Sequence, residues 1–389
     1  MNIQKPITKK ITSDSFSLCS QCVMDSSDAA ISFDDNGICD HCRTYEGKIA
    51  PKWNLGIGRE SELDKIVSKI KKDGKGKDFD CILGMSGGID SSYLLYLVKE
   101  KLDLRPLVFH VDAGWNSQIA VNNIERLVDA LNLDLFTEVI NWEDMKNLQR
   151  AYFKSGVPHI DTPQDHAFFA SMYKFSLQNK VKNIISGGNY STECIRNPIE
   201  WMYYQSDSTQ LKDIFNKNSD KKLISYPITN ILWHKLYLPY IKGIKVQRLL
   251  DFMPYNKNEA TQFLVNNYGF EKYPQKHFES RFTRFYESYW LPEKFGFDTR
   301  KVQFSSLILT GQMSREEALE KLKKPAYDPE TIHHEFEYVA SKLDWSVDEL
   351  VNCFNARNKS YKDYANQEML YNIGAKTLRA IGIEMGGKR

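Results

Sequence analysis

Residues 81–92 read CILGMSGGIDSS, and this stretch decides the fold. A short apolar run, of the kind that forms a buried strand, leads into two adjacent glycines, and a helix is expected at residues 91–101. The glycines permit a sharp turn in which successive backbone N–H groups point to one side. Such a turn in front of a helix N-terminus binds phosphate groups, so the stretch predicts a phosphate-binding loop between a strand and a helix.

The loop supplies both backbone and hydroxyl donors. Ser86, Ser91 and Ser92 can donate to an anion, while Gly87 and Gly88 form the turn. The spacing excludes a Walker A loop, because no Gly-Lys-Ser/Thr follows, and it does not fit a dinucleotide fingerprint. The SGGIDSS motif resembles that of the PP-loop ATP pyrophosphatases. The resemblance implies an enzyme that uses ATP and Mg²⁺, cleaves ATP between the α and β phosphates, and transfers AMP to a substrate oxygen.

Further positions converge on the same edge of the predicted sheet. Asp90 either caps the helix after the loop or supplies a carboxylate near the magnesium ion. Asp112 ends the second strand, and Gly187 and Gly188 follow the fourth. Ligands bind at the carboxyl ends of parallel strands, so we expect these residues to line the ATP-binding cleft.

The alternation of strands and helices predicts the architecture. Expected strands cover residues 79–84, 106–111, 134–140, 181–186 and 249–253, and the expected helices include 91–101, 118–131 and 163–179. This order predicts a doubly wound, mostly parallel five-stranded α/β sheet. We expect a zinc-binding segment at residues 1–60, a PP-loop domain at 61–270 with an aromatic insertion at about 194–245, and a mostly helical region at 271–389. In that last region Ser346 and Glu349 predict a capped helix near 346–354.

Four of the seven cysteines lie in two pairs near the N-terminus, namely Cys19, Cys22, Cys39 and Cys42. Their C-x2-C, sixteen residues, C-x2-C spacing is typical of a four-thiolate zinc site. Four sulfur ligands close the coordination sphere, so the expected role of the metal is structural. His41 is an alternative ligand that four cysteines make unnecessary.

The remaining cysteines carry weaker signals. Cys81 and Cys353 are expected in the core. Cys194 follows the glycine pair at 187–188 and is either a catalytic thiol or a packing residue.

Composition excludes several classes of partner. With 52 basic and 50 acidic side chains the net charge is only +2, so no general attraction for nucleic acid is expected. No apolar run of eighteen residues or more is present, which argues against membrane insertion. Residues 1–6 introduce no apolar segment, so we expect no signal peptide and a cytoplasmic protein.

From about residue 19 to about residue 322, the chain resembles the N-acetyl sugar amidotransferases of surface-polysaccharide (lipopolysaccharide and O-antigen) biosynthesis. Besides the cysteine pairs, the stretches that carry the resemblance are GGNYSTEC at 187–194, YNK at 255–257, KHFESRFTRFY at 276–286 and LPEKFGFD at 291–298. The resemblance implies that the acetamido oxygen of a UDP-linked N-acetyl sugar is adenylated. Ammonia then replaces it to give an acetamidino group.

Candidate residues for this chemistry follow. The catalytic candidates are Ser86, Asp90, Lys257, Lys276 and Lys294; the substrate-binding candidates are Asn189, His166, Arg281, Arg284 and Arg300. Lysines neutralise developing charge, and arginines clamp diphosphates or carboxylates through two parallel hydrogen bonds. For each cation the alternative is a solvated surface charge.

Two further segments have open roles. Asp161, Gln164 and Asp165 lie on a path to the cleft and are candidate sugar or ammonia contacts, although Asp161 with Pro163 is typical of a helix start, which is the favoured interpretation for Asp161. The aromatic residues of the insertion either stack on uracil and sugar rings or form core.

The source of ammonia is expected to be another protein. The chain starts with Met1-Asn2 rather than a cysteine, and it contains no Gly-x-Cys-x-Gly elbow for a glutaminase nucleophile. The resemblance implies a class I glutaminase subunit with a cyclase-like partner, and the helical C-terminal region is a candidate docking surface. A homo-oligomer is left open. The alternative function is a PP-loop tRNA-modifying enzyme of the thiolation or lysidine type.

Overall fold

The computed structural model of the protein describes residues 16–273 and 277–380, and a five-stranded sheet lies at its centre. The strands are β1 (Cys81–Gly84), β2 (Pro106–Asp112), β3 (Leu135–Val139), β4 (Asn183–Ile185) and β5 (Lys245–Gln247). All neighbouring strands are parallel, in the order β3-β2-β1-β4-β5. The predicted α/β fold with a parallel five-stranded sheet is confirmed.

Strand β1 lies at the centre of the sheet, and its side chains are apolar on both faces. Leu83 lies opposite Val108 of β2 and Ile185 of β4, and all three side chains are fully buried. Parallel strands covered by helices on both faces need such continuous apolar runs. The loop at residues 86–88 therefore leaves the middle of the sheet, where neighbouring strand ends surround it.

Helices follow the strands as the sequence predicts. The longer helices up to residue 268 are Glu60–Asp73, Ile89–Tyr96, Gln118–Ala130, Trp142–Ser155, Thr162–Gln178, Ser208–Asn218 and Lys257–Tyr268. Those of the C-terminal part are Thr299–Leu309, Arg315–Leu322, Ile332–Lys342, Val347–Asn355 and Glu368–Ala380. Short helices span Asp40–Thr44, Ala50–Trp53, Tyr190–Glu193, Arg281–Phe285 and Leu291–Phe295, and π-helical turns span Tyr45–Ile49, Leu97–Lys101, Trp233–Lys242 and Tyr286–Trp290. The capping box of Ser346 and Glu349 is present.

The fifth strand differs from the prediction. Residues 249–253 do not form it; Leu249–Phe252 is a 3-10 turn whose Leu249 and Leu250 are fully buried. The strand is Lys245–Gln247, which pairs with β4 and is largely exposed. An edge strand with one open side does not need apolar residues, so hydrophobicity pointed to the neighbouring buried turn instead.

The aromatic insertion is mostly core. Trp201, Tyr203, Phe215 and Tyr226 are buried, with 1%, 1%, 4% and 6% of their surface exposed. Large apolar side chains of this segment reach the surface at Ile224 and Ile228 and around Trp233–Lys242, where those of Tyr240 and Ile241 are exposed. The core alternative therefore holds for most of this segment.

The N-terminal cysteine segment is fixed to the C-terminal helices. Arg315 donates from Nε to the carbonyl of Cys22 at 3.0 Å and from Nη2 to the carbonyl of Cys19 at 2.8 Å. Lys301 forms an ion pair with Asp25 at 2.6 Å. Within the part of the chain that the structure describes, no helix has the length and apolar character to span a lipid bilayer.

Candidate active site and metal centre

The turn after β1 has the geometry of an anion nest. Gly87 has a φ of +84°, and a Cβ there would stand 2.8 Å from the carbonyl oxygen of Ala120, so only glycine fits without strain. The Oγ of Ser86 accepts the N–H of Gly88 at 3.2 Å and lies 3.3 Å from the Oγ of Ser91. Backbone and hydroxyl donors thus gather around one turn.

The helix that follows begins within this turn. Gly88 is the N-cap of Ile89–Tyr96, and its carbonyl accepts the Ser91 hydroxyl at 3.2 Å. The Ser92 hydroxyl is fully buried and has no hydrogen-bond partner among the described residues. Buried hydroxyls are normally paired, so an unpaired one at a helix start fits a phosphate-binding role.

Asp90 does not cap the helix. Its carboxylate accepts the hydroxyl of Tyr255 and, at 3.3 Å, the hydroxyl of Thr192. Burial raises the pKa of Tyr255 well above its usual range and the Asp90 charge raises it further, so the phenol keeps its proton and donates. The carboxylate thereby connects the loop to residues 192 and 255, and the interpretation that Asp90 stands near the nucleotide's magnesium ion remains.

The neighbouring strand ends approach the same turn. Asp112 accepts the N–H of Gly114 at 2.8 Å and the side-chain amide of Asn116 at 3.2 Å. A Cβ at Gly187 would stand 3.1 Å from the backbone nitrogen of Ser91, so the loop after β4 packs directly on the helix start. The ends of β1 and β4 therefore meet at one edge, as expected for a ligand-binding cleft.

Glu279 is a site residue that the sequence reasoning did not single out. A Cβ at Gly88 would stand 2.0 Å from its Oε1, so the carboxylate lies directly against the phosphate loop. Its backbone carbonyl accepts the N–H of Ser117 at 2.8 Å. A carboxylate beside a phosphate nest is suited to a magnesium-bound nucleotide rather than to a bare anion. The signal was present, since Glu279 lies in the stretch at 276–286.

Two predicted substrate arginines are paired within the protein. Arg281 contacts Glu335 at 3.3 Å and lies 3.5 Å over the ring of Tyr338, and Arg284 pairs with Glu335 at 2.6 Å. The backbone N–H of Arg281 donates to the carbonyl of Trp115 at 2.8 Å. Both side chains contact the Ile332–Lys342 helix, so these contacts explain the two arginines without a substrate.

Arg300 and Lys294 are likewise anchors. Arg300 pairs with Asp298 at 2.7 Å and donates to the carbonyl of Lys324 at 2.9 Å. Lys294 is 2% exposed, and its Nζ donates to the carbonyls of Phe354 at 2.5 Å and Ala356 at 2.7 Å. Burial lowers the pKa of Lys294 to about 8. Neither cation needs a substrate to explain it.

Asn189 and His166 also have local roles. Asn189 caps Tyr190–Glu193 by accepting the N–H of Thr192 at 2.9 Å. His166 accepts the N–H of Thr229 at Nε2 at 3.0 Å and contacts the carbonyl of Gln205 through Nδ1 at 2.8 Å. Burial lowers the pKa of His166 to about 4, so the ring is neutral and joins two loops.

Lys257 and Lys276 are the two remaining lysine candidates. Lys257 is partly buried two residues after Tyr255, close to the contacts of Asp90, and its backbone N–H donates to Gln312 at 2.8 Å. Lys276 lies outside the described residues. The role of both as catalytic lysines stays a prediction.

A second set of cations was missed by the sequence reasoning. Arg248 donates to the carbonyl of Gly188 at 3.2 Å and pairs with Asp251 at 2.9 Å, which places it at the end of β4. Arg196 and Lys235 are exposed, and in the described chain neither makes an ion pair or a side-chain hydrogen bond. Partial desolvation by neighbouring protein atoms lowers the pKa of both side chains. A nearby cation lowers each pKa further, Arg248 in the case of Arg196 and Arg196 in the case of Lys235. Cations that crowd one another beside the cleft favour an anionic ligand.

The four N-terminal cysteines form a closed cluster. Their sulfur atoms all lie within 4.8 Å of one another, and all four side chains are fully buried. Backbone N–H groups point at the sulfurs, for example that of Cys39 at the Sγ of Cys19 at 3.3 Å. Four gathered sulfurs with such donors fit a tetrahedral, thiolate-bound cation such as Zn²⁺. His41 stands apart, because its Nε2 pairs with Asp28 at 2.9 Å.

Cys194 is a packing residue. Its side chain is 7% exposed and its Sγ contacts the carbonyl of Ser306 at 3.7 Å. Burial raises the pKa of Cys194 to about 12, which leaves no thiolate at neutral pH. The alternative of a catalytic thiol is not supported.

Comparisons with known proteins agree with the resemblance seen in the sequence. Residues 279–378 match the family described as LPS biosynthesis protein WbpG-like, C-terminal domain. Uncharacterized protein MJ1599 of Methanocaldococcus jannaschii is 26% identical over 329 residues, which is 82% of this chain and 96% of that protein. The match at 279–378 confirms, for that segment, the similarity to proteins of lipopolysaccharide biosynthesis.

Two solved structures are also similar. The NH3-dependent NAD synthetase from Campylobacter jejuni subsp. jejuni NCTC 11168, in complex with the nitrate ion, is 14% identical with a TM-score of 0.28, covering 56% of this chain and 99% of that one. NMN synthetase from Francisella tularensis is 15% identical with a TM-score of 0.27, covering 57% of this chain and 91% of that one.

Proposed function

We propose that the protein is an ATP-dependent, AMP-forming amidotransferase of surface-polysaccharide biosynthesis. The observation that carries the proposal is the phosphate nest of Ser86, Gly87 and Gly88 at the carboxyl edge of a parallel sheet. The same chain carries a segment that matches a lipopolysaccharide-biosynthesis family. A nucleotide-using site and a surface-glycan context together favour a nucleotide-linked sugar as the second substrate.

The chemistry explains why ATP is needed. An amide carbonyl is a poor electrophile, and direct attack by ammonia would have to expel oxide. When the acetamido oxygen attacks the α-phosphate, pyrophosphate leaves and the oxygen becomes part of a good leaving group. Ammonia then forms a bond to the amide carbon, and AMP departs with the electron pair of the C–O bond, leaving an acetamidino group.

The chain's contribution is to position the reactants and stabilise charge. The loop hydroxyls of Ser86, Ser91 and Ser92 would hold the departing pyrophosphate. Asp90 lies at the start of the helix that follows the loop and Glu279 lies against Gly88, and these two carboxylates would hold Mg²⁺ on the nucleotide phosphates. Magnesium neutralises phosphate charge when it is bound.

The sugar nucleotide would bind beside the loop after β4. Arg196 and Lys235 are exposed there, and Arg248 is anchored to the carbonyl of Gly188. A diphosphate between these side chains would offset their mutual repulsion, which supports a UDP-linked acetamido sugar as the substrate class.

Ammonia would come from a partner. Burial raises the pKa of Cys194 to about 12 and of Cys353 to about 11, so neither thiol is activated as a nucleophile. We therefore keep the proposal of a separate class I glutaminase subunit with a cyclase-like partner. The four-cysteine cluster would hold a structural Zn²⁺ that stabilises the N-terminal segment.

The test is an activity assay on the purified full chain. ATP, Mg²⁺ and an ammonium salt are incubated with a panel of UDP-linked acetamido sugars, and AMP, pyrophosphate and the mass of the sugar are measured. Sugar-dependent AMP release with about one dalton lost from the sugar, as expected when oxygen is replaced by NH, would support the proposal. A parallel arm contains tRNA in place of sugar, and AMP release in that arm alone would replace the proposal with RNA modification.

A further inference from the structure

Exposed apolar side chains are concentrated in residues 221–250. Of the 17 large apolar side chains that are exposed in the described chain, eight lie in this stretch, and five of the eight lie between residues 232 and 241. These five are Leu232, Leu236, Tyr237, Tyr240 and Ile241, and we call them the outer face. Single exposed apolar residues are common on soluble proteins, whereas a cluster of this kind marks a surface that another molecule covers.

The outer face belongs to a helical segment that is anchored on its opposite side. Ile231, His234 and Leu238 follow one another at intervals of three and four residues, and all three are buried. The ring of His234 stacks on that of Tyr173 with centroids 5.9 Å apart. The carbonyl of Leu238 accepts the N–H of Ile244 at 2.9 Å. One side of the segment is therefore packed on the protein, and the outer face is open to solvent.

The same stretch carries positive charge only. Residues 221–250 contain five lysines, one arginine and neither aspartate nor glutamate, although the whole chain has 52 basic and 50 acidic residues. Lys242 and Lys245 follow the outer face directly and are exposed, and the Nζ of Lys242 lies 5.4 Å from the ring centroid of Tyr237. Within the described ranges, none of the five lysines forms an ion pair with a carboxylate of the protein. The stretch is thus complementary to an apolar surface that carries negative charge.

A second copy of the chain does not meet this requirement. In a two-fold symmetric dimer the outer face would contact its own copy, so Lys242 and Lys245 would lie near the same lysines of the other chain. Because residues 221–250 contain no acidic residue to pair with them, such a contact would bring like charges together.

A lipid surface fits the stretch better than a protein partner does. The buried centres of protein interfaces are depleted of lysine. At the surface of a bilayer, by contrast, apolar side chains enter the boundary between headgroups and acyl chains, aromatic rings lie at headgroup level, and lysines extend to the phosphates. The combination of Tyr237 and Tyr240 with aliphatic residues and flanking lysines matches that arrangement.

We propose that the outer face and its lysines bind the surface of a lipid bilayer that contains anionic headgroups. The side chains of the outer face enter the acyl boundary, and Lys242 and Lys245 contact lipid phosphates. Binding is peripheral, because the opposite side of the segment is packed on the protein. The inference goes beyond the proposed function and does not depend on it, since neither ATP nor a sugar takes part.

Vesicle flotation tests the proposal without turnover. The purified full chain is mixed with vesicles of phosphatidylcholine alone, or of phosphatidylcholine and phosphatidylglycerol in equal amounts. We expect the chain to float with the anionic vesicles, to bind neutral vesicles about tenfold more weakly, and to lose binding at high salt. A chain that stays in the soluble fraction with both kinds of vesicle would overturn the proposal and leave an acidic protein surface as the partner.

Leu236→Ser combined with Tyr240→Ser tests the apolar contribution. The two side chains are 50% and 61% exposed, so the fold should be retained, and the partition coefficient for anionic vesicles should fall about tenfold or more. The matched control is Met369→Ser with Ile373→Ser, which are also four residues apart on a helix and 75% and 49% exposed. The control should bind like the wild type. Equal binding by the first pair and the wild type would overturn the proposal.

Lys242→Gln combined with Lys245→Gln tests the charge. We expect the partition coefficient for anionic vesicles to fall about tenfold. The matched control is Lys72→Gln with Lys75→Gln, because these lysines are also exposed and three residues apart. An equal fall in both pairs would mean a general attraction of basic side chains to anionic lipid and would overturn the assignment to the outer face. Light scattering without vesicles completes the test, because a dimer that Leu236→Ser with Tyr240→Ser dissociates would replace the bilayer with a second copy.

Discussion

The cations at residues 281–300 and those at residues 196–248 are the same residue types in opposite situations. Arg281, Arg284 and Arg300 each pair with a carboxylate of the protein. Arg196 and Lys235 have no such partner in the described residues and stand beside the candidate cleft. A paired cation is explained by the fold, whereas an unpaired one that neighbouring positive charge destabilises calls for a ligand.

The difference teaches that residue type and proximity in sequence do not identify a substrate-binding cation. The stretch at 276–286 carries the resemblance to sugar amidotransferases, yet its arginines hold a helix. What distinguishes the two sets is whether the rest of the protein supplies counter-charge. Each of the following predictions tests that distinction.

The largest expected effect is on stability, for Lys294→Met. The buried Nζ donates to two carbonyls, and the substitution leaves both without this donor, so we expect a loss of about 3 kcal/mol in the free energy of unfolding. Denaturant unfolding measures the loss. KM values of the folded variant should equal those of the wild type. If stability is unchanged and kcat is reduced, Lys294 has the catalytic role that was predicted for it from the sequence.

Asp161→Asn should stabilise the protein at neutral pH. The pKa of Asp161 is raised in the folded state to about 6, mainly by burial, so the folded protein holds this proton more tightly than the unfolded chain. The associated stability is present below about pH 4 and is lost as pH rises through about 6. We therefore expect a gain of about 2 kcal/mol at pH 7 and little change at pH 4.

The measurement is denaturant unfolding at both pH values. Asp165, Glu287, His277 and Tyr286 interact electrostatically with Asp161 or with its charged neighbours, so the full pH profile depends on these groups as well. Glu293→Gln serves as control, because Glu293 is also a carboxylate with a side-chain donor, the hydroxyl of Tyr327 at 3.2 Å. A destabilisation by Asp161→Asn at pH 7 would mean that the charge of Asp161 is already compensated in the folded protein.

The double variant Arg196→Ala, Lys235→Ala should weaken substrate binding without weakening the fold. Loss of two diphosphate contacts is expected to raise KM for the UDP-linked sugar by about tenfold or more, equivalent to about 1.4 kcal/mol. Stability should be unchanged or slightly higher, because two mutually repelling charges are removed. Steady-state kinetics with the sugar and with ATP varied separately provide the measurement. A rise confined to KM for ATP would mean that these cations bind ATP and not the sugar nucleotide.

The fold was predictable because its signals are local. The apolar run of β1, the glycine turn and the helix start lie within residues 81–92. The fifth strand was misplaced because Lys245–Gln247 lies at the sheet edge, where burial imposes no apolar pattern. The cysteine cluster was predictable for the same reason as the loop, since spacing alone brings the ligands together.

The substrate side was less predictable because it depends on pairing between distant residues. Whether Arg284 is free depends on Glu335, 51 positions away, and whether Asp161 has a counter-charge depends on residues 277–287. No sequence window contains both partners. His166 shows the same limit, because its two ring nitrogens are occupied by loops at residues 205 and 229.

The smallest expected effect is that of Glu335→Gln, which removes the carboxylate shared by Arg281 and Arg284. Both arginine side chains are about one-third exposed, at 35% and 38%, so water solvates them once the pair is broken, and we expect a loss of about 1 kcal/mol in stability. KM for the sugar should not change, because Arg281 and Arg284 are explained by their contacts with the Ile332–Lys342 helix. Thermal unfolding and sugar kinetics are measured on the same preparation, with Glu317→Gln as control, since Glu317 forms one exposed pair with Lys321. If Glu335→Gln instead lowers KM for the sugar nucleotide, the released Arg281 and Arg284 bind its diphosphate. These two arginines would then have a role in substrate binding and not only a structural one.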